Sequence, residues 1–479
     1  MIETAHRHFE KRIFSETLVD IRNAAELQYK LINRVADSRL SGICISLADK
    51  IFSKPLNYEQ DKNCFLFYDS FTWDNRGETQ QYLDAILNLA DIRLIFVNEG
   101  KIEKKSSCIY RQLKKHGVEH YELGNERDEL EKIKRLRSII ENAKPGKAFF
   151  HLSPYSVIPF VAFGDFKGVI KYQINLTDHA FWLGDSSFFD YTFEFRGYGC
   201  NLSLNERSFK KDQILYLPYY PWIEETPFQG FPKETKGWKI LFSGGSLYKI
   251  EGGEGKYYEA LKKILDANPS LLFFYAGDGN RAPFYNFIRT NHFENRVSLL
   301  GNRSDIGEVI KRIDIYLGTY PMGGGLMTQY AAVYGKPLLI YKTKGIEEVV
   351  CIKRNEPFVF DNMDELVKES TWLVNNPEYY KERGAFFKSL IIEKEEFRNL
   401  FTKVLDGESP LSWEKRNVQI QNHESLYRIN KDGFMLDKIL MPYASPKFKL
   451  KILGNYICSI PYYYNRIVAA IKRRIIKNK

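Results

Sequence analysis

Three turns of this chain carry residue types that could bind a phosphate group. The longest segment, DIYLGTYPMGGGLMTQYAAVYGKP (314–337), combines a buried-strand pattern, the glycines Gly323, Gly324 and Gly325, and a helical pattern. Consecutive glycines let the backbone approach a ligand closely because they have no Cβ. The following helix offers unpaired N–H groups and the positive end of its dipole, which favour an anion. A strand-to-helix turn that binds nothing would show the same pattern, so this turn alone leaves both interpretations open.

Two further turns in the same half of the chain follow apolar strand patterns and supply glycines, hydroxyls and cations. They are SGGSLYK (243–249), with Gly244, Gly245, Ser246 and Lys249, and AGDGNR (276–281), with Gly277, Gly279 and Arg281. Together with the hydroxyl of Thr328, these groups are predicted to meet at the carboxyl edge of one parallel sheet. For Lys249 alone, a surface lysine is an equally good interpretation. None of the turns matches GxxxxGK[ST], which disfavours P-loop nucleotide hydrolysis, and no GxGxxG opens either half.

The segment INLTDHAFWLGDSSFFDYTFEFRGYG (174–199) contains the candidates for proton transfer. Asp178 and His179 directly follow a predicted strand, and hence lie at the edge of a cleft. Histidine suits a general base near neutral pH, and the adjacent carboxylate could orient its ring. A histidine that caps a strand or satisfies a buried polar group is the alternative. Arg196 is a candidate for a phosphate or carboxylate in the cleft, with an ordinary salt bridge as the alternative.

A further candidate contact lies in the first predicted βα turn of the chain. The turn DNRG (74–77) follows the strand pattern CFLFYDSF (64–71), so Arg76 and Gly77 would face the phosphate site across the cleft. An ordinary βα turn explains the same residues.

The elements that must position these groups form two α/β halves. Strand and helix patterns alternate over 56–220 and again over 238–410, which is typical of parallel sheets, and a helical lead-in is predicted for 1–55. The segment 221–237 contains three prolines and two glycines and is predicted to be the linker. The sequence therefore predicts an α/β fold of two Rossmann-like domains that face a cleft, with a basic amphipathic tail at 411–479.

Charge is distributed unevenly along the chain. Residues 438–479 contain ten Lys or Arg and no Asp or Glu, so this tail carries the whole net charge of +10. The neutral body argues against a nucleic-acid binder. Within the tail, Ile467, Val468, Ile471 and Ile475 fall at helical spacings among basic residues, which predicts a helix at an anionic membrane surface. Solvated disorder and RNA binding are the alternatives.

The remaining bulk features favour a cytoplasmic protein. Six cysteines without a CxxC pair indicate neither a zinc site nor a disulfide framework. The N-terminal MIETAHRHFEKRIF is too charged for a signal peptide, and no apolar run reaches membrane-spanning length. We therefore expect a location in the cytoplasm, peripheral on the inner face of the cytoplasmic membrane.

Several of these segments together resemble a known family. SLYKI, NPSLLFFYAGDG, LLGNR and DIYLGTYPMGGG…AAVYGKPLL look like the donor-binding domain of GT-B glycosyltransferases, most closely the family-41 type of O-GlcNAc transferases and their bacterial relatives. The resemblance implies that Lys249 contacts the diphosphate of a nucleotide sugar and that the triple-glycine turn cradles it. TDHAFWLG is similar to a segment of bacterial GT-B transferases. The resemblance covers about residues 238–342, and the N-terminal half only by architecture and that segment.

The chain also departs from the family pattern. Gly325, Leu326 and Met327 stand where the family has a histidine and a hydroxyl pair, with Thr328 as the nearest substitute. Tyr330 occupies the position of the carboxylate that holds the ribose in many GT-B enzymes. Met322 and Tyr330 also occupy the spacing of the paired glutamates of retaining enzymes, so an inverting mechanism is favoured.

The sequence thus predicts a hexosyl- or N-acetylhexosaminyltransferase that uses a nucleotide-diphosphate sugar, a UDP-sugar, without a metal or other cofactor. The acceptor is predicted to be a glycan, a lipid-linked glycan or a protein. Richness in Lys, Ile, Asn, Tyr and Phe indicates an AT-rich bacterial genome and hence surface-polysaccharide biosynthesis. The alternatives are a non-catalytic GT-B partner of another glycosyltransferase, a sugar-nucleotide epimerase and a polyol-phosphate transferase. The oligomeric state is not predicted.

Overall fold

The computed structural model describes residues 1–31, 34–72, 77–102, 107–175, 177–342, 359–406, 408, 411–418, 420 and 443. Three helices precede the first sheet: α1 (Ile2–Glu10), α2 (Phe14–Leu31) and α3 (Ser38–Ile51). They cover most of the segment for which the sequence predicted a helical lead-in.

The first sheet and its helices occupy the N-terminal half. The strands are β1 (Asp61–Asp69), β2 (Arg93–Asn98), β3 (Glu119–Glu122), β4 (Pro145–His151), β5 (Ile170–Ile174), β6 (Tyr191–Glu194) and β7 (Ile214–Tyr216). The helices are α4 (Glu78–Leu87), α5 (Cys108–Lys115), α6 (Glu129–Ala143), α7 (Ile158–Phe163) and α8 (Gly197–Glu206).

The second sheet and its helices follow in the C-terminal half. The strands are β8 (Lys239–Gly244), β9 (Leu271–Ala276), β10 (Val297–Gly301), β11 (Ile315–Leu317), β12 (Leu338–Tyr341) and β13 (Val359–Phe360). The helices are α9 (Lys256–Ala267), α10 (Ala282–Thr290), α11 (Ile306–Arg312), α12 (Gly325–Val333), α13 (Met363–Asn375), α14 (Pro377–Leu390) and α15 (Lys394–Leu405).

Both sheets are parallel throughout the described pairings. Their strand orders are β3-β2-β1-β4-β5-β6-β7 and β10-β9-β8-β11-β12-β13. In each sheet the order reverses beside the first strand, which opens a crevice at the carboxyl ends of the strands. The predicted α/β fold of two Rossmann-like domains is therefore confirmed.

The first sheet is covered on both faces, which explains the continuous apolar run of β1. Leu66 and Tyr68 pack in one buried cluster with the three N-terminal helices, α6 and α7. Phe65 and Phe67 alternate with them and pack in a second cluster on the opposite face. The N-terminal helices thus form part of the core of the first domain.

Helix α15 crosses back from the C-terminal half to this second cluster. Phe397 and Phe401 are fully buried in it, beside Tyr82 of α4. Arg398 donates to both carboxylate oxygens of Asp84, at 2.7 and 3.0 Å. The range 238–410 predicted for the C-terminal domain therefore contains a helix that packs on the first sheet.

The chain continues from α15 onto the surface of α8. The backbone N–H of Arg416 donates to Asn201 Oδ1 at 2.7 Å, and Asn201 Nδ2 donates to the carbonyl of Glu414 at 3.1 Å. The amphipathic helix predicted in the tail lies outside the described residues. None of the helices in the described part of the chain is long and apolar enough to cross a membrane.

Candidate active site

A cleft of about 1150 Å³ is lined by residues from both halves of the chain. The first domain contributes the segments that follow β5 and β6, and the second domain contributes those that follow β8, β9, β10 and β11. Carboxyl ends of parallel strands from two sheets therefore meet at one cavity, which is where ligands bind in open α/β sheets.

The turn after β8 brings Lys249 to this cleft. Residues Leu247–Ile250 form one turn of 3₁₀-helix, in which the N–H of Lys249 donates to the carbonyl of Ser246 at 3.0 Å. The carbonyl of Lys249 accepts from the N–H of Met322 at 3.3 Å, so this turn is tied to the triple-glycine turn. Gly245, Ser246 and Lys249 all line the cleft.

The triple-glycine turn ends at the N-terminus of α12. Gly324 is the N-cap residue and Gly325 is the first residue of the helix, and both line the cleft with Gly323. Thr319 Oγ1 donates to the carbonyl of Met322 at 2.6 Å, which stabilises the turn between β11 and α12. The N–H groups of the first helical turn lack partners within the helix, which makes this end a suitable anion site.

Close backbone packing explains one glycine of the neighbouring turn. A Cβ at Gly277 would overlap the carbonyl oxygen of Gly245, because the turns after β8 and β9 touch through their backbones. The N–H of Gly245 donates to the carbonyl of Ala276 at 2.9 Å. These two turns therefore form one surface built of backbone.

Four residues that the sequence grouped with the phosphate site do not line the cleft: Gly244, Gly279, Arg281 and Thr328. Thr328 is buried, and its hydroxyl donates to the carbonyl of Gly324 at 3.1 Å within α12. Arg281 is exposed and pairs with Asp278 at 3.0 Å. Gly244 lies at the end of β8, beneath the side chain of Met327.

Other lining residues were not predicted. Asn302, Arg303 and Ser304, which follow β10, line the cleft together with Trp222 and Thr226 of the predicted linker. Arg303 is fixed by two hydrogen bonds of 2.6 Å to Asp305. The sequence offered the motif LLGNR, but no residue of that motif was assigned to the site.

Tyr330 is also part of this wall. Its hydroxyl donates to the carbonyl of Trp222 at 2.9 Å, and its ring lines the cleft. The family resemblance implies a ribose-binding carboxylate at position 330. In this chain the tyrosine at that position bonds the backbone of the predicted linker instead. Tyr29 of α2 is a further lining residue, which sequence reasoning placed in the lead-in.

On the other wall, His179 and Asp178 lie side by side after β5. His179 Nδ1 is 3.4 Å from Asp178 Oδ1, and the histidine side chain is 28% exposed, whereas the Asp178 side chain is fully buried. Arg196 donates to both carboxylate oxygens, with Nη2 2.7 Å from Oδ1. Arg196 therefore makes the salt bridge that the sequence left as the alternative, and its partner is Asp178 of the same domain.

The environment of Asp178 keeps it ionised. Burial by itself would raise the pKa of the carboxyl, but the charge and hydrogen bonds of Arg196, together with His179, hold the pKa well below its ordinary value. A permanent negative charge thus lies beside the imidazole of His179.

A second buried carboxylate lies behind this pair. Glu194 accepts hydrogen bonds from Asn175 at 2.8 Å and from the hydroxyl of Ser203. Burial raises the pKa of Glu194 to about 7, although the nearby charge of Arg207 opposes the shift. A Cβ at Gly199 would overlap a carboxylate oxygen of Glu194, so a glycine lets α8 approach the two acids.

The remaining two predicted contacts lie in the turn before α4. Arg76 lies outside the described residues. Gly77 is the N-cap residue of α4 with a φ of 85°, and a Cβ there would overlap the side chain of Trp222. Gly77 itself does not line the cleft, but the adjacent Glu78 does.

Solved structures place this architecture in the GT-B class. HepE from Anabaena in complex with UDP-glucose aligns with a TM-score of 0.51 at 12% identity, over 72% of this chain and 100% of that chain. An O-GlcNAc transferase from Thermobaculum terrenum aligns with a TM-score of 0.52 at 13% identity, over 84% and 79%. TarM from S. aureus, solved with UDP among its ligands, aligns with a TM-score of 0.51 at 13% identity, over 72% and 99%.

A family match adds the activity class. Residues 226–387 match the family model described as glycosyl transferases group 1. No curated protein sequence matches the chain. The match over this C-terminal segment bears out the glycosyltransferase that the sequence predicted, and the solved structures bear out its GT-B fold.

Proposed function

We propose that this chain transfers a sugar from a UDP-sugar to a hydroxyl group of a glycan, a lipid-linked glycan or a protein. The observation that carries the proposal is a single cleft lined both by His179 and by Lys249 with the triple-glycine turn. A general base and an anion site in one cavity are what such a transfer requires. UDP-glucose in the HepE structure and UDP in the TarM structure support the choice of nucleotide.

At the donor end, Lys249 and the N-terminus of α12 would hold the diphosphate. The lysine supplies a full positive charge, and the helix N-terminus supplies directed N–H groups. Both stabilise the charge that develops on the leaving diphosphate, which is the role that a metal ion fills in other transferases. The proposal therefore includes no bound metal.

At the acceptor end, His179 would take the proton. Because Nδ1 faces Asp178 at 3.4 Å, Nε2 is the nitrogen proposed as the base. The O–H bond of the acceptor breaks, its proton passes to Nε2, and the oxygen forms a bond to the anomeric carbon. The bond from that carbon to the diphosphate oxygen breaks, and the diphosphate leaves with the electron pair. Buried Asp178 stabilises the imidazolium that results.

The proposed transfer is inverting, because attack and departure occur in one displacement. Met322 and Tyr330, at the spacing of the glutamates of retaining enzymes, both line the cleft, and neither supplies a carboxylate. A product of unchanged anomeric configuration, determined by NMR, would refute the inverting route.

A nucleotide panel tests the donor proposal. Purified protein is heated with UDP, GDP, ADP or CDP and with UDP-glucose or UDP-GlcNAc, and the unfolding temperature is recorded. We expect selective stabilisation by the uridine compounds, amounting to about 2.7 kcal/mol at a hundredfold excess over Kd. Lys249→Ala should lose this stabilisation, whereas Lys263→Ala, on the exposed face of α9, should retain it. Stabilisation by none of the nucleotides would refute the donor proposal.

We also propose that residues 438–479 hold the enzyme at an anionic membrane, where a lipid-linked acceptor would be met. Ten basic residues support this, since each contributes about 1 kcal/mol near such a surface. Deletion of 438–479 should abolish sedimentation with liposomes of anionic lipid, and the full chain should stay unbound to neutral liposomes. Unchanged sedimentation of the truncated chain would contradict the proposal.

A further inference from the structure

Arg207 is a fully buried arginine that holds the backbone on both sides of His179. Its Nη2 donates to the carbonyls of Asp178 and Ala180, each at 2.9 Å. The guanidinium also lies over the ring of Trp182, 4.5 Å from its centroid. Two carbonyls separated by the backbone of His179 and Ala180 are thereby fixed by a single nitrogen, which restricts the backbone dihedral angles of these two residues.

The charge of Arg207 is balanced through a serine. Nη1 donates to Ser203 Oγ at 3.3 Å, and the same hydroxyl donates to the carboxylate of Glu194. Burial of a guanidinium is costly unless an opposite charge lies close to it. Glu194, Ser203 and Arg207 therefore form a chain of charge and hydrogen bonds that ends at the turn carrying His179.

A simpler packing role would not need this arrangement. An apolar side chain of similar volume fills a buried space at lower cost than a charged one. The planar fork of arginine is instead suited to bonding several acceptors in fixed directions. The acceptors used by Nη2 belong to the residues immediately before and after the histidine that faces the cleft.

We propose that Arg207 is a positioning residue, which fixes the 178–180 turn so that the imidazole of His179 faces the acceptor side of the cleft. Ser203 links the guanidinium of Arg207 to the carboxyl group of Glu194. The effect of Arg207 on turnover rests on the proposed function, since it requires His179 to be the base. The positional part of the inference, that Arg207 fixes the conformation of the 178–180 turn, does not depend on that function.

The chain contains a matched control in Arg137. This arginine is also buried, donates to the carbonyls of Ala162 at 3.0 Å and Lys54 at 3.1 Å, and lies 4.7 Å from the ring of Phe52. None of these residues lines the cleft. Arg207→Met and Arg137→Met thus remove the same kind of group from the same domain.

The positional part is tested by the imidazole nitrogens of His179. The eight histidines are labelled with ¹⁵N, and His179 is assigned by its loss in His179→Ala. We expect one sharp set of His179 resonances in the wild type, shifted or broadened resonances in Arg207→Met, and unchanged resonances in Arg137→Met. Equal changes in both variants, or none in either, would overturn the inference. If Arg207→Met does not fold, Arg207→Lys replaces it in this measurement and in the kinetic one below, because lysine keeps the positive charge but lacks the planar guanidinium.

The functional part is tested by a double-mutant cycle on UDP release from UDP-glucose or UDP-GlcNAc. Arg207→Met should lower kcat by roughly 10- to 100-fold in the wild type but less than about twofold in the His179→Ala background. Equal losses in both backgrounds would overturn the inference while leaving His179 as the base. Full turnover by His179→Ala alone would instead refute the proposed base, and the resonance comparison would still decide whether Arg207 fixes the turn.

Discussion

The two walls of the cleft are built in different ways. On the wall of the first domain, His179 is supported by three buried ionisable groups, Asp178, Glu194 and Arg207, and by Arg196, which lines the cleft beside it. These groups bond one another or the adjacent backbone. On the wall of the second domain, the turns after β8, β9 and β11 contact one another through backbone groups and glycines.

The difference follows from what each wall is proposed to bind. A diphosphate has many equivalent oxygens, and directed N–H groups with one cation are sufficient to hold it. A proton-transfer group must instead present one atom at one place, which requires its side chain and its supporting turn to be fixed. Side chains therefore dominate the support of the first wall, whereas backbone groups and glycines dominate the second.

The largest expected effect falls on the side-chain wall. His179→Ala should lower kcat by about 10²- to 10⁴-fold, because the acceptor hydroxyl loses its base. The Kd for UDP, measured by calorimetry, should change less than about threefold, since the diphosphate site is on the other wall. A variant that loses UDP affinity but keeps its turnover would reassign His179 to the donor site.

The next effect concerns Lys249, a cation on the wall of the second domain. Lys249→Ala should reduce turnover by about 10²- to 10³-fold and should also weaken UDP binding, because the lysine would contact both ground state and leaving group. Lys263→Ala, on the outer face of α9, serves as the control. Full activity in Lys249→Ala would remove the lysine from the mechanism.

A pair of glycine variants compares the walls directly. Gly277→Ala would press a methyl group onto the carbonyl of Gly245, so the Kd for UDP should rise by about tenfold or more. Gly199→Ala would press on Glu194 and Asp178, so kcat should fall while the Kd for UDP stays the same. Gly42→Ala, with open space around it, should change neither quantity. The comparison of the two walls fails if the first two variants have the same effect.

The smallest effect is a pH dependence of stability. Because the pKa of Glu194 is raised to about 7, the folded state binds the proton more tightly than the unfolded state does, so this carboxyl contributes stability at low pH. As the pH rises from about 6 to about 8, the free energy of unfolding of the wild type relative to Glu194→Gln should fall by about 1 kcal/mol. Denaturant unfolding of the full chain at several pH values, for the wild type and for Glu194→Gln, measures this difference, and a difference that is constant with pH would contradict the assignment.

Local patterns in the sequence predicted the features that depend on local geometry. Strands that are buried on both faces are apolar throughout, so their ends can be recognised in the sequence. Groups that directly follow such strands lie at the carboxyl edge of the sheet. They include Ser246, Lys249, Gly323 and His179. Thr328 follows the same logic in sequence, but its place one turn into α12 directs its hydroxyl to the carbonyl of Gly324.

Features that depend on distant parts of the chain were not predicted. Helix α8 contains Gly197 and Gly199, which are poor helix formers, and it forms where tertiary packing needs a close approach to Glu194 and Asp178. Arg207, Trp222 and Tyr29 reach the site or its support from segments whose own sequence carries no local sign of it. A charged side chain can be recognised as buried only when its partners are known. The backbone partners of Arg207, at positions 178 and 180, lie far from it along the chain, so the local sequence does not reveal them.

The crossing of α15 has a consequence for the synthesis of the protein. The apolar face of the first sheet that contains Phe67, together with Tyr82 of α4, is covered by Phe397 and Phe401, which leave the ribosome only after the whole second domain has been made. Until then, that face is open to chaperones and to misassembly with other chains. The first domain to be translated is thus the last to be completed.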